Sequence, residues 1–333
     1  MEQALRADVN NRTASDAFVY RDASDLIYIT GPSARMGRIT SAVVGSGSRL
    51  PFDSPSSHQN TSYETQNFLP SLKCDTADST VIEDVVKSVD GDLFSGVTNI
   101  QNRTADSLNW NGDQYRGEIG YLGLIYPRGL GYPNPSLTWN NNQSASTNHY
   151  VFAIQRRPTD LEHLSDTEYL SCVLWNASVS YTVKTRNGIV GIEDIHQDFV
   201  NEFDPRYAIV DTCRELPCSG GLGSPAYSGY SLALSSYLLG YVAWRQDDAR
   251  SRYLSAGPIG TTALSTGEQF YNMTRNMNEA SKTIGNIQSP SNVRNITFRE
   301  DIEAFALNVS LSILNDASLW SVTSLKICQK LTL

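Results

Sequence analysis

The clearest alternation of hydrophobic and polar residues lies within residues 169–195. Over residues 173–184 the two kinds of side chain alternate with a period of two, which is typical of a strand with one buried and one exposed face. Asn187-Gly188 then favours a type I′ hairpin turn, and a second strand is predicted from Ile189. The predicted buried face of the first strand contains Val173, Trp175, Ala177, Val179, Tyr181 and Val183.

Shorter apolar stretches predict further strands. The segment 149–155 is expected to pair near the hairpin. The other predicted strands cover residues 17–29, 38–44 and 63–74. Residues 51–61 and 92–148 are interpreted as loop-rich, residues 196–207 as a short acidic helix, 251–270 as short strands or loops, and 272–294 as polar turns.

Helical spacing marks two longer segments, at about 229–245 and 298–314. Thr297 and Glu300 form a capping box at the start of the second segment. Its predicted apolar stripe contains Ile302, Phe305, Ala306, Val309 and Ile313, and its opposite, polar face contains Asp301, Asn308, Ser312 and Asn315. The pattern as a whole predicts an α+β, β-rich fold, with sandwich-like antiparallel sheets and a few packed helices.

The length of 333 residues suggests one large domain or two intimate ones. Residues 1–16 are expected to be a loose N-terminal segment and 321–333 a tail. Between them, residues 17–320 are predicted to form a single extracytoplasmic β-rich domain, with the alternative of two halves, 17–195 and 196–320.

Charge and composition exclude several classes of function. The net charge of −9 and the pI of about 5.0 oppose binding to a phosphate backbone, so no nucleic-acid partner is expected. The four histidines are scattered and no Cys-x-x-Cys occurs, so the sequence predicts no metal site. Gly45-Ser-Gly-Ser48 lacks a P-loop lysine, and no cofactor is predicted.

Four of the five cysteines are disulfide candidates: Cys74, Cys172, Cys213 and Cys218. Cys213 with Cys218 is the easiest local pair, because Pro217 helps the chain to turn back. Cys74 with Cys172 is the second pairing that we consider. Disulfides indicate an oxidising compartment, while buried cytosolic thiols are the alternative interpretation.

Eight N-glycosylation sequons occur in the chain. The candidates are Asn60, Asn102, Asn142, Asn176, Asn272, Asn295 and Asn308, with Asn11 in the N-terminal segment. We expect Asn60 in a loop, Asn176 on the polar face of a strand and Asn308 on the polar face of a helix. No signal peptide or transmembrane helix is apparent, so either the sequons are idle in a cytosolic protein or the chain is a fragment of a longer one. We favour the fragment.

Several short motifs carry a resemblance. Tyr28-Ile-Thr-Gly-Pro-Ser33, Asn60-Thr-Ser-Tyr63, Leu69-Pro-Ser-Leu-Lys-Cys74 and Cys172-Val-Leu-Trp-Asn-Ala-Ser178 resemble an extracytoplasmic domain of large, uncharacterised multi-pass membrane proteins of filamentous fungi. Some members are labelled formylmethionine-deformylase-like. That chemistry needs a His-Glu-x-x-His helix, which is absent from this sequence, so the resemblance implies a fold and a compartment but no activity.

No catalytic residue is predicted. His196 with Asp194 or Asp198 fits a solvated acidic loop, and nothing selects a catalytic pair from Glu118, Glu168, Glu193 and Asp211.

We therefore expect a non-enzymatic glycoprotein domain on the extracellular side of the plasma membrane. Its membrane attachment would come only from segments missing from this chain, and its partner would be a cell-wall glycan or another surface protein. The alternatives are a secreted polysaccharide-active hydrolase that binds sugar through the aromatic residues of 110–139, and a degraded gene copy without function.

Overall fold

The computed structural model describes most of the predicted elements. It covers residues 19–21, 29–51, 60–83, 85, 109–111, 115–126, 149–155, 167–186, 189–202, 225–247, 250–256, 259, 262, 264, 267–281 and 293–314. The predicted segments 1–16 and 321–333 lie outside these residues. Among the residues covered, no helix is both long and apolar enough to cross a membrane.

The described residues form ten strands and four longer helices. The strands are β1 (Val19–Arg21), β2 (Ile29–Pro32), β3 (Asn60–Thr76), β4 (Asn109–Asn111), β5 (Tyr115–Tyr126), β6 (His149–Gln155), β7 (Thr167–Arg186), β8 (Ile189–Glu202), β9 (Gly240–Asp247) and β10 (Arg250–Ala256). The helices are α1 (Ala34–Ser46), α2 (Pro225–Leu238), α3 (Glu268–Ser281) and α4 (Phe298–Leu314).

Eight of the strands form one antiparallel sheet, in the order β10-β9-β5-β6-β7-β3, with β4 paired to β5 and β8 paired to β7. β1 and β2 form a separate two-stranded sheet. The predicted β-rich α+β class is confirmed, as is the pairing of residues 149–155 with the central hairpin. The main core contains buried residues of this sheet and of all four helices.

The strand β7 buries opposite faces at its two ends. Leu174 is buried in the main core, whereas Val179 and Tyr181 are buried in a second, smaller cluster. β7 pairs with β3 without a register shift, so even and odd positions lie on opposite faces. The predicted buried face is therefore correct for the second half of β7. It is wrong for Val173 and Trp175, which are only partly buried.

Helix α4 covers the outer edge of β3. The Ser310 hydroxyl donates a hydrogen bond to the Pro70 carbonyl, and the Cys74 amide donates one to Glu303 Oε1 at 2.7 Å. Both backbone groups therefore point away from β7. Because Pro70 has no N–H, an outward position on an edge strand costs it no ladder hydrogen bond. The helix takes the place of a further strand and shields the edge from pairing with another chain.

Helix α4 also contributes to both cores. Ile302 and Val309 belong to the main core, and Leu311 belongs to the second cluster. The predicted bounds, 298–314, are confirmed. The capping box is confirmed as well, since the Thr297 amide donates to Glu300 Oε2 at 3.0 Å and the Glu300 amide donates to Thr297 Oγ1 at 3.3 Å.

The polar face predicted for this helix is wrong. Asp301 and Ser312 are 2% and 1% exposed, and Asn308 is partly buried. Ser312 donates to the Asn308 carbonyl at 2.7 Å and accepts from the Leu50 amide at 2.9 Å, so packing on two sides satisfies its hydroxyl. Asn315 lies outside the described residues.

Residues 38–44 belong to helix α1, so the strand predicted there is wrong. The buried residues Met36, Ile39 and Val43 recur at helical spacing. Ser33 caps the helix by accepting a hydrogen bond from the Met36 amide at 3.1 Å. Gly47 ends it with a left-handed φ of 67°. The caps at both ends and the buried face stabilise a helix here, although the β-branched residues of the segment favour a strand.

Five other segments differ from their predictions, because contacts with distant parts of the chain decide their structure. Residues 109–111 and 115–126 are strands of the main sheet rather than loops, and β8 continues through His196 to Glu202 rather than becoming a helix. The helix predicted to reach Arg245 ends at Leu238, and β9 begins at Gly240 with a φ of 130°. α3 replaces the polar turns predicted at 272–281, and its described side chains include the buried Phe270 and Met273.

Gly123 allows β5 to approach the end of α2. A Cβ atom there would lie 2.2 Å from the Leu238 carbonyl oxygen and 2.8 Å from the Tyr121 hydroxyl. That hydroxyl itself donates to the Leu238 carbonyl at 2.5 Å. A side chain at residue 123 would therefore force backbone apart inside the main core.

We predict that Gly123→Ala lowers the free energy of unfolding by about 1–3 kcal/mol, the usual cost of overpacking. The matched control is Gly45→Ala on the exposed face of α1, where a Cβ meets nothing within 4 Å. The control should be neutral or stabilising by up to about 1 kcal/mol. Urea unfolding compares the two variants, and equal stabilities would contradict the close approach.

Asp301 is a buried carboxylate. Its Oδ1 lies 2.7 Å from Arg294 Nη2, and only 3% of the side chain is exposed. Desolvation raises the pKa of Asp301 to about 6, against the opposing effect of Arg294. The native state therefore holds a proton between about pH 4 and pH 6 that the unfolded chain has released, and the contribution of Asp301 to stability falls as the pH rises through that window.

We predict that Asp301→Asn removes this pH dependence. The stability of the variant relative to the wild type should rise between pH 4 and pH 7 by roughly 2–3 kcal/mol. Urea unfolding at several pH values measures the difference. Arg294→Gln is the companion variant, and it should move the transition to higher pH. A stability difference that does not change with pH would refute the prediction.

Candidate functional sites

Cys74 and Cys172 form a disulfide between β3 and β7. Their Sγ atoms are 1.96 Å apart, their Cα atoms are 4.0 Å apart, and both residues are 0% exposed. They are directly opposite each other in the strand pairing. This geometry agrees with the second pairing considered from the sequence. Cys213 and Cys218 lie outside the described residues, as does Cys328.

The described sequons differ in exposure. Asn272 on α3 and Asn295 before α4 are exposed, while Asn176 on β7 and Asn308 on α4 are partly buried. Asn60 is the first residue of β3, so the loop position predicted for it is wrong. The remaining candidates, Asn102 and Asn142, and also Asn11, lie outside the described residues.

The hydroxyl residues of four sequons take part in the fold. Ser178 accepts from Gln66 Nε2 at 2.6 Å, Thr274 donates to the Phe270 carbonyl at 3.0 Å, Thr297 donates to Glu300 at 2.8 Å, and Ser310 donates to Pro70. Glycan transfer at these sites would therefore have to precede local folding, because the hydroxyl groups are already hydrogen-bonded in the native state.

A cleft of about 420 Å³ lies where the end of α1, the start of β8 and α4 meet. It is lined by Gly47, Ser48, Arg49, Leu50, Pro51, Val190, Gly191, Ile192 and Asn308. Arg49 Nη2 donates to the Ile192 carbonyl at 2.5 Å and so ties the loop after α1 to β8. Partial burial lowers the pKa of Arg49 below its ordinary value.

Sequence reasoning missed this cleft. Arg49 and Ile192 are 143 positions apart, and Leu50 and Ser312 are 262 positions apart. No local pattern marks such long-range contacts. The Asn308 sequon and the Gly45-Ser-Gly-Ser48 turn each pointed to residues of the cleft, but nothing in the sequence brought them together.

The two carboxylates considered for hydrolysis whose side chains are described, Glu168 and Glu193, do not converge. Glu193 lies opposite Thr182 on β7, about 14 strand positions from Glu168, which corresponds to roughly 45 Å. Glycosidase carboxyl pairs lie about 5–10 Å apart. Glu118 and Asp211 have no described side chains. His196 Nε2 lies 3.3 Å from Asp198 Oδ1, but both side chains are largely exposed.

One of the aromatic residues proposed to bind sugar, Tyr121, is buried and cannot contact a ligand at the surface. Tyr121 is 0% exposed and packs in the core, with ring centroids 5.5 Å from Phe270 and 5.9 Å from Phe298. Burial raises the pKa of its hydroxyl well above the ordinary value. The side chains of Trp110, Tyr115, Tyr126, Tyr132 and Trp139 lie outside the described residues. Within the described part of the chain, no group of three His, Cys, Asp or Glu residues could hold a metal ion.

Comparison with protein-family models, with curated proteins and with solved structures finds no match for this chain. The resemblance to fungal membrane proteins therefore stays a prediction.

We predict that removing the disulfide with Cys74→Ala and Cys172→Ala lowers the free energy of unfolding by about 3–5 kcal/mol, since the bridge closes a long loop. Urea unfolding measures the loss.

Thiol labelling after treatment with a reductant provides the control. Because both cysteines are 0% exposed, the native wild type should resist reduction until it unfolds. Rapid reduction of the folded protein, or a double variant as stable as the wild type, would contradict the assignment.

Proposed function

We propose that this chain is a non-enzymatic, extracytoplasmic glycoprotein domain of a cell-surface membrane protein, of the kind that its motifs resemble in filamentous fungi. The observation that carries the proposal is the buried Cys74–Cys172 disulfide, which joins the edge strand β3 to its neighbour β7. A disulfide in such a place persists in oxidising compartments such as the cell exterior.

The exposed sequons give independent support. Asn272 and Asn295 present their side chains on the surface, where a bulky glycan can be accommodated without disturbing the core. The two sites lie on different elements, α3 and the segment before α4.

The described residues with raised pKa values do not gather at the cleft. Catalytic sites bring residues with shifted pKa values together in a cleft. Here burial raises the pKa values of Tyr121, Tyr150 and Tyr181, which are core residues, and Asp301 is paired with Arg294 away from the cleft lining. Among the described residues that line the cleft, Arg49 alone has a shifted pKa.

We predict that native protein from the host carries glycans at Asn272 and Asn295. Peptide mass spectrometry of membrane and secreted fractions, with and without N-glycosidase, measures the conversion of each asparagine to aspartate. The untreated aliquot controls for spontaneous deamidation. Unmodified sequons together with reduced Cys74 and Cys172 in a cytosolic fraction would refute the proposed function.

A further inference from the structure

Asn308 is the one described sequon asparagine that lines the cleft. The cleft is bounded by three chain segments: residues 47–51 after α1, residues 190–192 of β8, and α4. Two hydrogen bonds already connect these segments, from Arg49 to the Ile192 carbonyl and from the Leu50 amide to Ser312. A group attached to Asn308 would begin at the lining of the cleft, whereas a group attached to Asn272 or Asn295 would begin at an exposed position.

We propose that Asn308 carries an N-linked glycan whose first N-acetylglucosamine occupies this cleft and joins α4 to the loop after α1 and to β8. The inference rests on the proposed extracytoplasmic function, because the modification takes place only in the secretory pathway.

The lining of the cleft matches the chemistry of an acetylated sugar. Leu50 and Val190, which are only partly buried, provide apolar surface for the ring face and the acetamido methyl group. Arg49 has five N–H donors, one of which is given to the Ile192 carbonyl. In the described part of the chain it has no carboxylate partner, so its guanidinium can donate to hydroxyl or carbonyl oxygens of a sugar. The volume of about 420 Å³ lies in the range of small-molecule sites.

The chemistry of attachment is that of any N-glycan. Asn308 Nδ2 forms a bond to C1 of the first sugar of a lipid-pyrophosphate-linked oligosaccharide. The bond from C1 to the phosphate oxygen breaks, the lipid pyrophosphate leaves, and the amide loses one proton.

The timing follows from the contacts of the sequon. In the fold the Ser310 hydroxyl is bonded to the Pro70 carbonyl and is 0% exposed, and the Asn308 carbonyl accepts from Ser312. Transfer therefore precedes the packing of α4 against β3, and the sugar is enclosed as the helix docks.

The test uses the full chain secreted from a eukaryotic host. Peptide mass spectrometry first measures the occupancy of Asn308, Asn272 and Asn295. N-glycosidase release is then followed at each site, in native and in denatured protein. In native protein we expect release at Asn308 to be at least ~10-fold slower than at Asn272, because one or two hydrogen bonds must break first. In denatured protein the two rates should converge.

A pair of variants tests the proposed joining of the three segments. Asn308→Gln should lower the Tm of the glycosylated protein by roughly 2–4 °C relative to the wild type. Asn272→Gln, at an exposed position on a helix, is the matched control and should leave the Tm unchanged. The release experiment needs neither variant, so it stands even if Asn308→Gln fails to fold.

The outcomes separate this inference from the proposed function. Glycans at Asn272 and Asn295 without one at Asn308 would overturn the inference and leave the proposed function standing. The inference would also be overturned if the glycan on Asn308 were released from native protein as fast as the glycan on Asn272, because the sugar would then lie outside the cleft. Empty sequons at all three positions would overturn both.

Discussion

The rest of the structure depends on how the backbone hydrogen-bonding groups at the outer edge of β3 find partners. This strand pairs with β7 over its whole length of 17 residues, and its other edge carries backbone groups that need partners. Helix α4, rather than a further strand, supplies partners for two of those groups, through Ser310 to Pro70 and through Glu303 to Cys74. Because the helix lies along an edge, it contacts both faces of the sheet, and its residues enter both hydrophobic clusters.

This arrangement also explains why β7 changes its buried face. Near Leu174 the main core is packed on one side of the sheet, and near Tyr181 the second cluster is packed on the other. The disulfide joins β3 and β7 in the first of these regions, and the cleft beside Asn308 lies next to the second, where α4, β8 and the loop after α1 converge. The disulfide and the cleft of the glycan proposal therefore both lie on elements that the packing of α4 against β3 holds together.

The sequence predicted the elements whose signals are local. Thr297 and Glu300 mark the start of α4 because a capping box needs only four consecutive residues. The second half of β7 follows the period of two because one face is buried there. The strand predicted at 38–44 was wrong, as were the polar turns predicted for residues 272–281. Neither the β-branched residues of α1 nor the low hydrophobicity of α3 reveals what those segments pack against.

The amino-acid sequence by itself determined the β-rich α+β class, the bounds of α4, and the cysteines and sequons that make an extracytoplasmic role testable. Only the tertiary structure decided that Cys74 lies opposite Cys172, that Asp301 and Ser312 are buried, and that Asn308 lies beside Arg49 in a cleft. The physical reason is the range of the interactions. Caps and periodicity act within a few residues, whereas the pairing of Cys74 with Cys172 joins residues 98 positions apart and the contact of Ser310 with Pro70 joins residues 240 positions apart.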